Sequence, residues 1–304
     1  MIRILFILIT INFSLNSQNN SPFIYILGNT QDAGVPHIGC EQEFCQSNYK
    51  SNQDFFATSI AIVDPSVNKY ALFEASPDIT FQLNYISTNI FDGFSLPEHI
   101  YITHAHIGHY AGLMYLGRES LGSSNVNVRV LPKMSSFLKN NGPWNQLISI
   151  KNIDLEEISF DESSTVFDKI KVTPFQVPHR DEYSETAGYI IAGKNKKALF
   201  IPDIDKWEKW SVDIKSLFRE YDYLLIDATF YDENEINRDI NEIPHPLVKK
   251  TMNLFDKTSL GDKSKIYFIH MNHTNMMLDP ESELTKLVLS KGFNIARIGQ
   301  KLYL

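Results

Sequence analysis

Cysteine is nearly absent, with two residues in 304. That excludes a disulfide-dense scaffold. Positive charge is also short: 28 Lys plus Arg stand against 36 Asp plus Glu, for a formal net charge of −8. A net negative surface argues against general nucleic-acid binding, so no nucleic-acid partner is expected. No apolar run reaches the roughly 18 residues of a membrane span, so none is expected. Internal repeats, low-complexity tracts and flexible linkers are missing as well. What remains is globular: 43% of residues are hydrophobic and 21% charged. The length suffices for a full core without staples. Such a chain draws its function from a site, and a small-molecule substrate is the expected partner. Oligomeric state leaves no mark in the sequence.

The chain opens MIRILFILITINFSLNSQNN, with Arg3, an apolar stretch over 4–13, then small and polar residues. This is the shape of a short secretory signal. A cut between Ser17 and Gln18 is expected, giving a signal peptide over 1–17 and one domain over 18–304. Ser17 suits the position before the cut, whereas Leu15 is a poor match two places earlier. The competing reading is a buried first strand or helix. Export means a periplasmic or extracellular protein, where disulfides are permitted. No cysteine follows the apolar stretch to carry a lipid.

Short β-rich runs predict strands at 23–27, 59–63, 70–73, 99–103, 128–131, 171–175, 187–191, 197–201, 223–227 and 266–269. Helices are expected at 79–84, capped by Asp78 or Ser76, and at 110–118, 214–220, 246–255 and 281–290. Between 148 and 170 the pattern is polar with scattered apolar residues. The first strand runs into GNTQDAGVPHIGC, a Gly/Pro-rich loop of the kind that carries a site. The order of elements favours one domain of mixed α/β type.

Residues 103–109 read THAHIGH, in a chain with only 9 histidines. Residues two apart on a strand face the same way, so His104 and His106 can converge. A turn into the next helix brings His109 to the same pocket. Neutral imidazole is the usual nitrogen ligand of zinc. His179 (QVPHRDE), Asp203 (LFIPDID), Asp227 (LLIDATF), His270 and His273 (FIHMNHTN) each follow an apolar, strand-like run. Sites in α/β proteins gather at strand ends. Any one of these residues alone reads more simply as a cap or turn residue.

In order, His104, His106, His109, His179, Asp203 and His270 resemble the motifs of the metallo-β-lactamase superfamily. The resemblance spans nearly all of the mature chain. It implies an αββα sandwich with metals at one edge of two packed sheets, and hydrolysis as the default chemistry. The stretches 28–45, EASPDI, IPDIDKW, LLIDATF and HMNHTN look like the branch of the pyrroloquinoline quinone biosynthesis protein B. The phosphonate-pathway phosphodiesterase looks like a more distant cousin.

One departure matters. The superfamily carries Asp just before the last His of the motif, and here that residue is Gly108. The resemblance then implies one zinc on His104, His106 and His179. A second ion would have only His109, Asp203 and His270, unless Asp32 or His37 supplies the missing ligand. The cofactor is thus zinc, one or two ions per chain, with iron or manganese as alternatives. The implied chemistry is a water activated by zinc acting on an ester, phosphodiester or amide centre. Asp203 would bridge or orient, and His273 or His245 would shuttle a proton or touch substrate. His245, between Pro244 and Pro246, also reads as a solvent-facing loop residue. Asn272 and Asn275 would orient the ligands. Trp207, Trp210, Tyr183 and Phe230 are candidates to stack on substrate or to pack. Arg180 would meet an anionic group or pair with a neighbouring carboxylate.

Cys40 and Cys45 (CEQEFC) leave three readings open: a small-loop disulfide, a structural metal helped by His37, or free thiols. For the whole chain, the leading reading is a secreted zinc-dependent hydrolase. The alternatives are an iron-dependent oxidoreductase on the same fold, and a binding or sensing protein without turnover, which Gly108 favours.

Overall fold

The computed structural model describes residues 20–51, 55–235, 239 and 242–304. The expected signal peptide, 1–17, lies outside the described residues. No helix among the described residues is long and apolar enough to cross a membrane.

Among the described residues, fourteen strands build two sheets of seven. The first sheet uses β1 (Phe23–Gly28), β2 (Ser59–Asp64), β3 (Lys69–Phe73), β4 (His99–Tyr101), β5 (Val126–Val130) and β6 (Ile153–Glu157). The last strand, β14 (Lys301–Tyr303), pairs with β1 at its edge. The second sheet uses β7 (Ser164–Val166), β8 (Ile170–Gln176), β9 (Ala187–Ala192), β10 (Lys197–Ile201), β11 (Tyr223–Asp227), β12 (Ile266–Ile269) and β13 (Asn294–Ile295). Their spatial orders are β14-β1-β2-β3-β4-β5-β6 and β13-β12-β11-β10-β9-β8-β7. Each sheet is antiparallel on one side and parallel on the other. Pairing turns parallel at β3–β4 in one and at β10–β11 in the other.

Three apolar layers hold this sandwich together. Ile24 and Ile26 of β1 point between the sheets, where they meet Phe73, Tyr101, Tyr189 and Phe200. Phe23, Tyr25 and Leu27 of the same strand point outward, against Ile79, Leu83 and Ile86 of the helix Ile79–Ile90. A strand buried on both faces needs apolar residues at every position, and FIYIL supplies them. The second sheet is covered in the same way by Val248 and Val288 from two other helices. This is the expected αββα sandwich.

Several elements differ from their sequence expectation. The helix expected at 110–118 is a single α-turn, Ile107–Tyr110, followed by the 3-10 turn Ala111–Leu116. Gly112 packs so closely on the carbonyls of Ala75 and Ser76 that a Cβ would overlap them. That approach fixes the chain in the tighter winding. Asp78 does sit at the N-cap of Ile79–Ile90, but caps nothing with its side chain. Its carboxylate accepts from the Ala57 backbone N–H at 2.7 Å instead. The helix expected at 214–220 shrinks to Ile214–Leu217. The polar stretch 148–170 contains β6 and β7. Both lie toward sheet edges, where one side of a strand needs no apolar face.

Candidate metal centre

The site lies where strands of both sheets end. Beyond β4 the chain runs irregularly to His104, bends at Ala105 and His106, and the turn Ile107–Tyr110 carries His109 back. The rings of His104 and His109 come within 4.2 Å, centroid to centroid. From the second sheet, Asp203 follows β10, Asp227 ends β11, and His270 follows β12 at φ +66°. Left-handed backbone is uncommon for a non-glycine residue and points to a functional constraint. His179, beyond β8, is held by its neighbour Pro178, whose carbonyl accepts from the Asp205 N–H at 2.7 Å.

His104 Nε2 and His106 Nδ1 are 2.8 Å apart, and His106 Nδ1 and His179 Nε2 are 3.3 Å apart. Asp203 Oδ2 lies 3.4, 4.0 and 3.3 Å from the same three nitrogens. Tetrahedral ligands about 2.0–2.1 Å from zinc stand roughly 3.3 Å from one another. These donors therefore fit a metal of that size. His104 and Asp203 are buried, and His106 is the most accessible of the set.

The same Asp203 oxygen lies 3.6 Å from His109 Nε2 and 4.0 Å from His270 Nε2. Asp32 Oδ1 is 3.7 Å from His109 Nε2. His109 Nε2, His270 Nε2 and Asp203 Oδ1 are buried with no hydrogen-bond partner. Buried polar atoms are normally satisfied, so a pocket of unsatisfied acceptors and ring nitrogens suits a cation. His245 Nδ1 stands 2.8 Å from Asp227 Oδ2 and 3.1 Å from Asp203 Oδ1. It is buried, not solvent-facing.

A layer of side chains behind the rings orients them. Thr103 Oγ1 lies 2.9 Å from His104 Nδ1, and Thr229 Oγ1 lies 3.0 Å from His270 Nδ1. Thr229 Oγ1 also donates to Asp227 Oδ1 at 2.8 Å. Glu74 backs His109. Such partners fix the tautomer and tune a ligand. Sequence reasoning assigned no role to Thr229 or Glu74. Glu74 follows the apolar run of β3 as His104 follows that of β4, so the strand-end signal was there to be read.

Burial holds His104 well below its usual range, with the neighbouring His109 pushing the same way. Burial opposes charge on His109 and His245 too, but carboxylates prevail and raise both to about 10. Glu74 leads for His109, and Asp227 then Asp203 for His245. Burial would raise Asp203, yet His179, His245 and His270 outweigh it and keep the carboxylate well below its usual range.

His273 stands outside this donor cluster, although it lines the cavity beside it. Its Nδ1 is 3.6 Å from Cys45 Sγ, and its ring stacks on His37 at 4.2 Å. Cys40 and Cys45 are free thiols, so the disulfide expected as one alternative is not formed. The helix Glu43–Ser51 carries Cys45, whose thiol faces His273. Cys40, Cys45 and His273 bring three potential ligand atoms within 4.8 Å of one another.

A cavity of about 520 Å³ opens beside the centre, lined by Gln31, Arg180, Phe230, His245, Asn272 and His273 among others. Of the four aromatic candidates only Phe230 lines it. Trp207 is core, donating to Thr251 Oγ1 at 2.9 Å, Trp210 stacks on Phe175, and Tyr183 packs against Phe137. Asn275 is buried and donates to the Ala228 carbonyl at 2.9 Å. A larger cavity of about 850 Å³ lies between 213–220 and 253–258, and no histidine or cysteine lines it.

A family model described as "Beta-lactamase superfamily domain" matches residues 69–271. Coenzyme PQQ synthesis protein B of Methylobacterium sp. (strain 4-46) is 22% identical over 311 residues, covering 92% of this chain and 99% of that protein. Its namesake from Pseudomonas fluorescens (strain Pf0-1) is 25% identical over 311 residues, covering 93% and 100%. Among solved structures, Zn(2+)-bound PqqB from Methylobacterium extorquens superposes with a TM-score of 0.76 at 21% identity, covering 93% of this chain and 100% of that one. A diphosphatase from the PhnP family gives 0.65 at 22% identity, covering 93% and 98%. At such identities the structures share the fold.

Proposed function

The chain belongs to the metallo-β-lactamase superfamily and is similar to coenzyme PQQ synthesis protein B; from that premise we propose that it is a zinc-dependent hydrolase of a small ester, phosphodiester or amide-like substrate. One observation carries the reading. A single oxygen, Asp203 Oδ2, has ring nitrogens of His104, His106, His109, His179 and His270 within 4.0 Å. Such a set has little use except to hold a cation. The donors are imidazole and carboxylate, which suit zinc and also iron or manganese. A similar fold in a protein named as a diphosphatase supports keeping phosphoryl compounds in the substrate class.

His104, His106 and His179 would hold the first ion, with Asp203 between it and any second. When bound, zinc supplies Lewis acidity and a water deprotonated near neutral pH. The rest falls to the protein. His245, itself held by Asp227, stands beside Asp203 Oδ1 and leaves Oδ2 facing the histidines. Thr103, Glu74 and Thr229 hold the rings in register. His245 lines the cavity and would pass a proton to the leaving group. Arg180 lines the same cavity and would steer an anionic substrate toward the centre.

Untagged protein should contain zinc and cleave at least one of bis(p-nitrophenyl) phosphate, a lactone or a lactam. Chelation should abolish cleavage and added zinc restore it. Zinc without any cleavage would turn the assignment to a binding protein. Iron with a visible absorption band would turn it to an oxidoreductase. Export rests on 1–17 alone, and secreted protein should begin at Gln18 on N-terminal sequencing.

A further inference from the structure

We infer that Asp32, from the loop after β1, replaces the carboxylate that position 108 lacks and completes a second metal position with His109, His270 and Asp203. The inference rests on reading the pocket as a metal centre. Asp32 Oδ1, a His109 ring nitrogen and a His270 ring nitrogen lie within 4.8 Å of one another. Asp32 Oδ1, His109 Nε2 and His270 Nε2 are all buried, and none has a hydrogen-bond partner. The His109 side chain is only 1% exposed. Three unpartnered donor atoms converging on one point are unusual in a folded protein and fit a shared cation.

Gly108 supports the same assignment from another direction. Its backbone is not in the left-handed region, so conformation does not demand glycine there. Space does. A Cβ on residue 108 would fall 2.5 Å from Asp32 Cα, 3.0 Å from Asp32 Cγ and closer still to Oδ1. These are its three nearest neighbours. Asp32 therefore occupies the volume into which a side chain at 108 would grow, and the two cannot coexist without movement. Glycine lets the loop approach; it does not mark a site abandoned.

The loop is fixed to the segment that bears His270. The Gln31 N–H donates to the Met271 carbonyl at 2.8 Å, and the Met271 N–H donates to the Asn29 carbonyl at 2.9 Å. Asn272 Nδ2 donates to Gln31 Oε1. Asp32 and His270 are thus placed by one lattice of hydrogen bonds. His37, the other residue expected to fill the gap, stacks on His273 in the separate thiol cluster.

The test is zinc content and affinity, read by elemental analysis and calorimetric titration, in wild type, Asp32→Asn, Asp32→Ala, Gly108→Ala and His106→Ala. Any ion on Cys40 and Cys45 is common to all five proteins and cancels in the differences. Asp32→Asn and Asp32→Ala should each lose about one ion per chain or bind it at least ~10-fold more weakly. Gly108→Ala should show the same loss, because its Cβ displaces Asp32. His106→Ala should lose the other ion. Asp32→Asn keeps the side-chain shape, so it carries the test if Asp32→Ala does not fold. Wild-type content and affinity in both Asp32 variants would overturn the inference while leaving the first metal position intact. A wild-type pocket that takes no zinc, with His106→Ala losing none, would overturn both readings.

Discussion

Glu74 Oε1 stands 3.2 Å from Nδ1 of His109, and neither side chain meets solvent. Glu74 directly follows β3 in the left-handed region at φ +71°. Its other oxygen accepts from the Thr103 backbone N–H at 3.2 Å. One carboxylate thus sets the His109 ring and ties down the strand end that leads to His104. Glu74→Gln keeps the shape and removes the charge. Zinc affinity should fall roughly 10–100-fold with the fold retained. Competition with a chromogenic chelator measures this, and an unchanged affinity would count against an orienting role.

The layer between the sheets sets global stability. Phe73 is fully buried there and stacks on Tyr101 at 4.7 Å, with Tyr189 and Phe200 meeting it edge-on. Phe73→Ala leaves a cavity that these rings cannot close without tilting. The cost should be about 3–5 kcal/mol, read from urea unfolding. A loss below about 1 kcal/mol would mean that the layer repacks freely.

Glu235 links stability to pH. Burial pushes its carboxyl up from 4.5 to about 7, against hydrogen bonds from Thr274 and the Tyr231 N–H that favour the charged form. Its folded value lies above its unfolded one. The folded chain therefore keeps a proton that the unfolded chain releases, and stability falls as pH rises between about 4.5 and 7. Glu235→Gln should erase this slope in metal-free protein. Its unfolding free energy in urea titration should match wild type near pH 4 and exceed it at pH 8, by about 1 kcal/mol after solvent screening. Parallel midpoints at both pH values would refute the shift.

The fold and the histidines were legible in the sequence for the same reason. Strands buried on both faces, such as 223–227 and 266–269, read as unbroken apolar runs, and the polar residue at the end of each run stands out. That signal picked out His104, Asp203 and His270 and chose His270 over His273. It failed where burial is partial. β6 and β7 lie in a polar stretch, and β13 and β14 are too short to show a pattern. It failed also where geometry is set by close approach. Nothing in the run THAHIGH says that Gly112 meets two carbonyls, or that 110–118 winds as a tighter turn. Thr229 and Glu74 act only through a neighbour's ring, a relation that spacing along the chain does not encode. Equally, the free thiol of Cys45 depends on where the helix Glu43–Ser51 points its side chains.

The centre draws on both sheets. His104 and His106 come from the first sheet, while His179 and Asp203 come from the second. His109 and Asp32 likewise face His270 and Asp203 across the same divide. Each of the two metal positions takes its donors from both halves of the chain. A cation captured here acts as a clasp across the seam, and its occupancy reports whether the two slabs are seated in register.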